Sequence, residues 1–221
     1  MSYSVKEIYL TIQGEGGQTG LPAVFLRFAG CNLWNGLQSG RESAVCKFCD
    51  TDFIGTDGPG GGKFANAQEL AQAVQAAWPQ SQSGKDAEAK WVVCTGGEPL
   101  LQLDSKLIKA LHELGFKIAV ESNGTIKAPQ GIDWLCISPK AAAPLVQTSG
   151  HELKLVYPQD ENTPDDFADM DFDLFSLQPR DGTAEGHAKD NAKNLKAALD
   201  YTLAHPQWRL SIQTHKLIGI P

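Results

Sequence analysis

Trp91-Val92-Val93-Cys94-Thr95-Gly96-Gly97-Glu98-Pro99 is a short apolar run that stops at a pair of glycines and a proline. A run of this kind, bounded by turn formers, reads as a buried strand. Downstream, Asp104 stands as an N-cap before the helical segment Ser105–Leu114, and Gly115 closes it as a C-cap. A second apolar run, Lys117–Glu121, follows at once. Strand, helix and strand in this order predict a βαβ unit, and therefore a parallel sheet.

The same rhythm extends in both directions. Further strands are expected at Ala23–Phe28, Trp134–Ser138, Leu153–Tyr157, Leu174–Leu177 and Arg209–Thr214, and helices at Ala67–Trp78 and Ala188–Ala204. In the first of these helices Leu70, Ala71, Val74 and Ala77 recur at helical spacing, and Pro79 ends it. The crossovers Gly124–Gly131 and Ala141–Gly150 are too short or too proline-rich for full helices. The expected fold class is thus α/β, a partial, eroded barrel in one domain over residues 1–221. Two stretches read as loops: Asn32–Val45, and Gly55–Gly62, whose five glycines and one proline predict an exposed, mobile connection.

Composition removes several function classes. With 19 basic against 26 acidic residues and a net charge of −7, the chain lacks the basic face that coats nucleic acid. It has no run of 18 apolar residues to cross a membrane, and Met1-Ser2-Tyr3-Ser4-Val5-Lys6-Glu7 has no apolar core of a secretory signal. Five cysteines, an odd number, suit a reducing compartment better than a disulfide scaffold. A cytoplasmic globular protein is expected.

Three of those cysteines stand apart. Cys31, Cys46 and Cys49 are spaced Cys-x14-Cys-x2-Cys after the end of the strand Ala23–Phe28, where parallel α/β folds place their active sites. Asn32, Lys47 and Asp50 surround them with polar neighbours, whereas Cys94 and Cys136 sit inside apolar strands and read as core residues. Three thiolates can hold three irons of a 4Fe–4S cluster and leave the fourth iron open to an outside ligand. A structural zinc site needs a fourth protein ligand, and no further Cys or His lies nearby at zinc spacing. Gly96-Gly97-Glu98-Pro99 lets backbone approach a ligand at the mouth of its strand.

The cysteine triple, Phe48 just before its third member, and Gly96-Gly97-Glu98-Pro99 together resemble the radical S-adenosylmethionine superfamily. The fourteen residues between the first two cysteines, in place of the usual three, are similar to one branch, the 7-carboxy-7-deazaguanine synthases of queuosine and deazapurine biosynthesis. Ile12-Gln13-Gly14-Glu15-Gly16, Arg27, Cys49-Asp50-Thr51, Glu121-Ser122-Asn123-Gly124, Ser138-Pro139-Lys140, Gln178-Pro179 and Thr214-His215-Lys216 carry the likeness across nearly the whole chain.

The resemblance implies a (βα)6-type barrel and a carbon–nitrogen lyase with three cofactors: a 4Fe–4S cluster on Cys31, Cys46 and Cys49, S-adenosylmethionine, and magnesium on Thr51. It implies that S-adenosylmethionine meets Gly96, Gly97 and Glu98 through its ammonium, Phe48 through its adenine, and Glu121, Ser122 and Asn123 through its ribose, with Ser138, Lys140 and Gln178 as further contacts. The implied substrate is 6-carboxy-5,6,7,8-tetrahydropterin. Gln13 and Glu15 are expected at its pterin edge and Arg27 and His215 at its carboxylate, with Gly14 and Gly97 as further substrate contacts and Pro221 close enough to join them. In the family's reaction an adenosyl radical takes hydrogen from substrate carbon 6, the ring contracts with loss of ammonia, and S-adenosylmethionine is regenerated. A flavodoxin-like or ferredoxin-like electron donor and a homodimer are implied as well. Two alternatives share some of these features: a radical activase acting on a partner protein, and a zinc-stabilised binding module.

Overall fold

A computed structural model describes residues 2–79 and 90–221. Among these residues nine strands form one open sheet: β1 (Tyr3–Ile12), β2 (Pro22–Phe28), β3 (Gly62–Phe64), β4 (Lys90–Gly96), β5 (Phe116–Ser122), β6 (Trp134–Ile137), β7 (Ser149–Tyr157), β8 (Asp171–Pro179) and β9 (Trp208–Leu210). Their order across the sheet is β3-β1-β2-β4-β5-β6-β7-β8-β9, and every pair from β2 onward is parallel. The partial, eroded barrel expected from the sequence is thus an open sheet that does not close.

Alternation along the strands sorts side chains onto two faces. Val24, Leu26, Phe28, Val92, Cys94, Ile118, Val120, Leu153, Leu155 and Leu177 are fully buried in the main core, together with Leu70, Val74, Leu107 and Leu111 of the helices α1 (Ala67–Ala77) and α2 (Ser105–Glu113). Asn66 caps α1 by accepting from the Glu69 amide at 2.9 Å, and Asp104 caps α2 by accepting from the Leu107 amide at 2.9 Å. The third long helix, α3 (Asn191–Ala204), starts three residues later than expected because Ala188–Asp190 winds as a 3-10 turn. As expected, no helix spans the crossovers on either side of β6.

Four expectations are corrected. The first strand is not Ala23–Phe28 but β1, which pairs antiparallel with β2. Gly55–Gly62 is not a free connection: the Gly58 amide donates to the Lys6 carbonyl, and a Cβ on Gly61 would stand 2.1 Å from that same oxygen. The run Arg209–Thr214 is a strand only to Leu210. Beyond it Thr214 turns away from β8, donates its amide and hydroxyl to the Gly14 carbonyl, both at 2.9 Å, and opens the short helix α4 (Thr214–Ile218). His215 therefore lies in a helix and not at a strand end. Finally, Cys136 belongs to the opposite face from Cys94: it is buried, but beneath Glu121, Glu152 and Lys154, whose charges bear on its thiol.

The face turned away from the helices carries Arg27, Thr95, Glu121, Lys154 and Gln178 near the carboxyl ends of their strands. The segment after β1 folds across this open side, where the Gly16 amide donates to Ser211 Oγ at 2.7 Å and the Gly17 amide to Glu152 at 2.9 Å. It closes part of the gap that the open sheet leaves.

Candidate active site

Strand ends, the cysteine loop and α4 enclose a cleft of about 350 Å³. This size suits a small-molecule ligand. Gln13, Gly14, Glu15, Arg27, Cys46, Phe48, Cys49, Thr51, Gly96 and Gly97 all line it, as do Glu121, Ser122, Asn123, Ser138, Lys140, Gln178, His215 and Pro221. Of the residues singled out in the sequence, Cys31 and Glu98 stand behind the lining.

The glycine pair sets the shape of the cleft beside the cysteines. Gly96 has φ +141°, and a Cβ there would fall 2.3 Å from the Phe28 carbonyl. A Cβ on Gly97 would lie 2.2 Å from the Gly30 carbonyl and 2.6 Å from Cys31 Cβ. The turn thus presses on the first cysteine in a way that only glycine permits.

Glu98 departs from its expected place. Its side chain is wholly buried and accepts from the Leu100 amide (2.9 Å), the Ser122 hydroxyl (2.9 Å) and the Asn123 amide (2.8 Å). The carboxylate holds the β4 and β5 loops together and does not face a ligand. Ser122 and Asn123 are committed in the same way: Ser122 donates to Glu98, while Asn123 donates to Asn32 at 3.0 Å and accepts from Thr125. Their side chains build the wall.

On the far side lies a chain of polar groups that the sequence reading did not join. Lys154, 4% exposed in its side chain, donates to Glu15 at 2.7 Å and to Glu121 at 3.0 Å. Glu121 also accepts from Gln13 Nε2 at 3.2 Å, and Glu15 accepts from Gln213 at 2.9 Å and Gln178 at 3.3 Å. Burial alone would raise the Glu15 carboxyl, but the Lys154 charge outweighs it and holds the group down to about 2. Burial also opposes the charge on Lys154, yet Glu121 and Glu15 push its pKa well above the usual lysine value. Glu121, by contrast, is raised, because burial and the neighbouring carboxylates outweigh Lys154. Lys154 was missed as a site residue. Its signal is a lone charge inside the apolar run Leu153-Lys154-Leu155-Val156.

Gln178 carries a further mark. Its Oε1 is buried and has no partner in the protein, while its amide nitrogen is held by Glu15. A buried acceptor left open in a cleft is a place for a ligand's donor.

Arg27 is already partnered: Nε donates to Glu7 at 2.7 Å and Nη2 to the Tyr9 hydroxyl at 2.8 Å. One edge of its fork is fixed, and the guanidinium is held rigidly at the cleft. Phe48 lies under two cations, with Arg180 5.2 Å and Lys140 5.8 Å from its ring centre. Lys140 also donates to Ser138. At the rim, Lys216 of α4 bridges Asp50 at 2.6 Å and Asp181 at 2.5 Å, tying the cysteine loop to the end of β8. A Cβ on Gly14 would come within 2.2 Å of His215 Nδ1, so His215 packs directly on that backbone. The Pro221 carbonyl accepts from Thr11 at 3.0 Å.

Cys31, Cys46 and Cys49 are free thiols. Burial pushes the Cys46 thiol up to about 11, Lys140 opposes it, and both Cys49 and Cys31 are near enough to add to the rise. Among the described residues no three His, Cys, Asp or Glu side chains converge on the place of a single metal ion. A cubane cluster spreads its thiolates much farther apart than one ion does, so three neighbouring, uncrosslinked thiols at a cleft fit that larger group.

No known family profile matches the chain. Individual proteins do. The 7-carboxy-7-deazaguanine synthase of Caulobacter vibrioides is 61% identical over 221 residues, with all of both chains covered. The enzymes of that name from Bordetella pertussis and Bradyrhizobium diazoefficiens are 57% and 56% identical, again over both full lengths. Among solved structures, QueE from Escherichia coli superposes with a TM-score of 0.68 at 23% identity, covering 96% of this chain and 94% of that one. That likeness shows the fold.

Proposed function

The chain belongs to the 7-carboxy-7-deazaguanine synthases, and from that premise we propose that it rearranges 6-carboxy-5,6,7,8-tetrahydropterin to 7-carboxy-7-deazaguanine with release of ammonia. The observation that carries this reading is one cleft shared by the cysteine loop, the Gly96–Gly97 turn and the Glu15–Lys154–Glu121 chain. The three thiols suit a 4Fe–4S cluster. The Thr51 hydroxyl, two residues after Cys49, suits a hard, largely hydrated cation such as magnesium. When bound, the cluster supplies an electron, S-adenosylmethionine supplies hydrogen-atom abstraction, and magnesium orients the substrate.

The chain's own residues divide the remaining work. Gly96 and Gly97, without side chains, leave their own backbone open at the cleft beside Cys31, where an ammonium group needs acceptors. Glu15, held ionised by Lys154, offers an acceptor to the amine edge of a pterin, and the open oxygen of Gln178 adds another. Arg27 presents its remaining donors to the substrate carboxylate, oriented by Glu7 and Tyr9. Phe48, Ser138 and Lys140 remain for S-adenosylmethionine, and His215 and Pro221 for the substrate end of the cleft. A flavodoxin-like or ferredoxin-like protein as reductant and a homodimer complete the reading. An activase that makes a radical on a partner protein would not call for Arg27, Thr51 and the Gln13–Glu15 segment together.

The direct test is anaerobic reconstitution with iron and sulfide, followed by incubation with S-adenosylmethionine, magnesium, a reductant and the carboxypterin. Formation of the deazapurine and of ammonia is expected. A brown, reducible protein that cleaves S-adenosylmethionine but leaves the carboxypterin unchanged would reject the substrate assignment.

Two substitutions probe individual roles. Arg27→Ala is expected to raise KM for the carboxypterin by about thirtyfold or more, the cost of a lost charged hydrogen bond of about 2 kcal/mol or more. Reductive cleavage of S-adenosylmethionine should survive. Unchanged kinetics would return Arg27 to a purely structural pairing with Glu7. Thr51→Ala is expected to abolish the gain in turnover from added magnesium while the cluster spectrum stays intact. A mutant that responds to magnesium as the wild type does would leave Thr51 a turn residue.

A further inference from the structure

The insertion between Cys31 and Cys46 is a closed loop. The Val45 and Cys46 amides both approach the Leu33 carbonyl, at 3.1 and 3.4 Å, so the chain leaves and re-enters at one point. Inside it, the buried Trp34 meets the buried Phe53 edge to face, with ring centres 5.6 Å apart, and donates its indole N–H to the Leu37 carbonyl. Arg41 lies over that indole, its guanidinium carbon 4.2 Å from the ring centre. Arg41 Nε donates to Gln38 at 2.8 Å, and one Nη donates to both the Lys47 carbonyl (2.7 Å) and the Cys49 carbonyl (3.0 Å). These two carbonyls flank Phe48, on the turn that bears Cys46 and Cys49.

We infer that Arg41, delivered by the inserted segment and braced on Trp34, is a positioning residue that clamps the Cys46–Cys49 turn and sets the lifetime and reduction potential of the cluster held there. The inference rests on the cluster proposed above. Its logic is peptide geometry. In a trans peptide the carbonyl and the following N–H point in opposite directions. Drawing the Lys47 carbonyl to the guanidinium therefore aims the Phe48 N–H the other way, away from Arg41, within the turn between Cys46 and Cys49. N–H donors on cluster sulfurs, and a cation behind them, favour the reduced state, and outer partners of this kind fix ligand orientation. Arginine suits the task because its planar fork stacks on an indole while donating at its edge.

The test compares reconstituted wild type, Arg41→Ala and Arg41→Lys. Cluster loss to a ferrous chelator is followed by absorbance without oxygen, and reduction potentials by redox titration monitored by electron paramagnetic resonance. Circular dichroism of each apoprotein checks folding. Arg41→Ala is expected to lose its cluster about tenfold faster, as two charge-assisted hydrogen bonds are removed, and to titrate at a more negative potential. Arg41→Lys, which keeps charge but not the stacked fork, should fall between. Equal loss rates and potentials in wild type and Arg41→Ala overturn the inference and leave the proposed function standing. A wild type that takes up no cluster at all overturns both.

Discussion

Cys46→Ala is expected to lose the iron–sulfur absorbance, the low-temperature paramagnetic signal of the reduced protein, and all turnover. Cys46 is buried beside the cleft, with Cys49 and Cys31 near its thiol, so in the proposed cluster each of the three would serve one iron. No spare thiolate stands ready. Cys94 faces the helices in the main core, and Cys136 lies under the Glu121–Lys154 pair on the other side of β6. Cys94→Ala should therefore keep cluster and turnover and cost only packing, roughly 1–2 kcal/mol for a small buried group. Iron analysis after anaerobic reconstitution separates the outcomes. Wild-type iron content and spectrum in Cys46→Ala would remove the cysteine triple as the ligand set.

Lys154→Met should be nearly as damaging, by another route. The substitution leaves Glu15 and Glu121 facing each other without the cation that both contact. Removing one member of a buried ion pair costs about 3–5 kcal/mol, because the remaining charge is stranded. In compensation the carboxyls take up protons, so Glu15 ceases to be a reliable acceptor at the cleft. Misplacing a substrate-orienting group commonly costs about a hundredfold in rate, and kcat/KM should fall by at least that much. Lys154→Arg, which keeps the charge, should recover part of it. The pH dependence has a definite sign. Glu15 falls from its ordinary 4.5 to about 2, so its contribution to stability is full above 4.5 and is lost on acidification toward 2. Lys154 is raised, so its contribution is full below 10.5 and is lost only as pH climbs through its higher native value. Thermal unfolding of the wild type should show an acid-side loss that Lys154→Met shows less of. Identical acid profiles, with kcat/KM within twofold, would mean that the chain of contacts is incidental.

Much of this site was legible because strand ends and catalytic groups coincide in parallel α/β folds. The runs ending at Phe28, Thr95, Glu121 and Ser138 each deliver their polar residues to the same side. The gaps have physical causes. β1 escaped notice because its register shifts between Val5 and Glu7, a bulge that breaks the period-two pattern midway. β3 is short, and glycine opens it. Glu98 stands in a motif at a strand mouth, and sequence order does not tell whether a carboxylate there turns toward the ligand or back under its own loop. Cys136 and Cys94 sit in equally apolar surroundings, and only the phase of each strand separates a core position from one beneath a charged cluster. Lys154 was hidden by its apolar neighbours.

The sheet's open ends bear on how the protein behaves in concentrated solution. Each outermost strand, Gly62–Phe64 on one side and Trp208–Leu210 on the other, is three residues long and places a basic residue, Lys63 or Arg209, at its centre. An approaching molecule finds scarcely any unpaired backbone to zip onto, and meets positive charge when it tries. Growth by edge-to-edge β-pairing into ribbons or fibres is thereby discouraged, even though six parallel strands, β2 and β4 to β8, lie inside these edges.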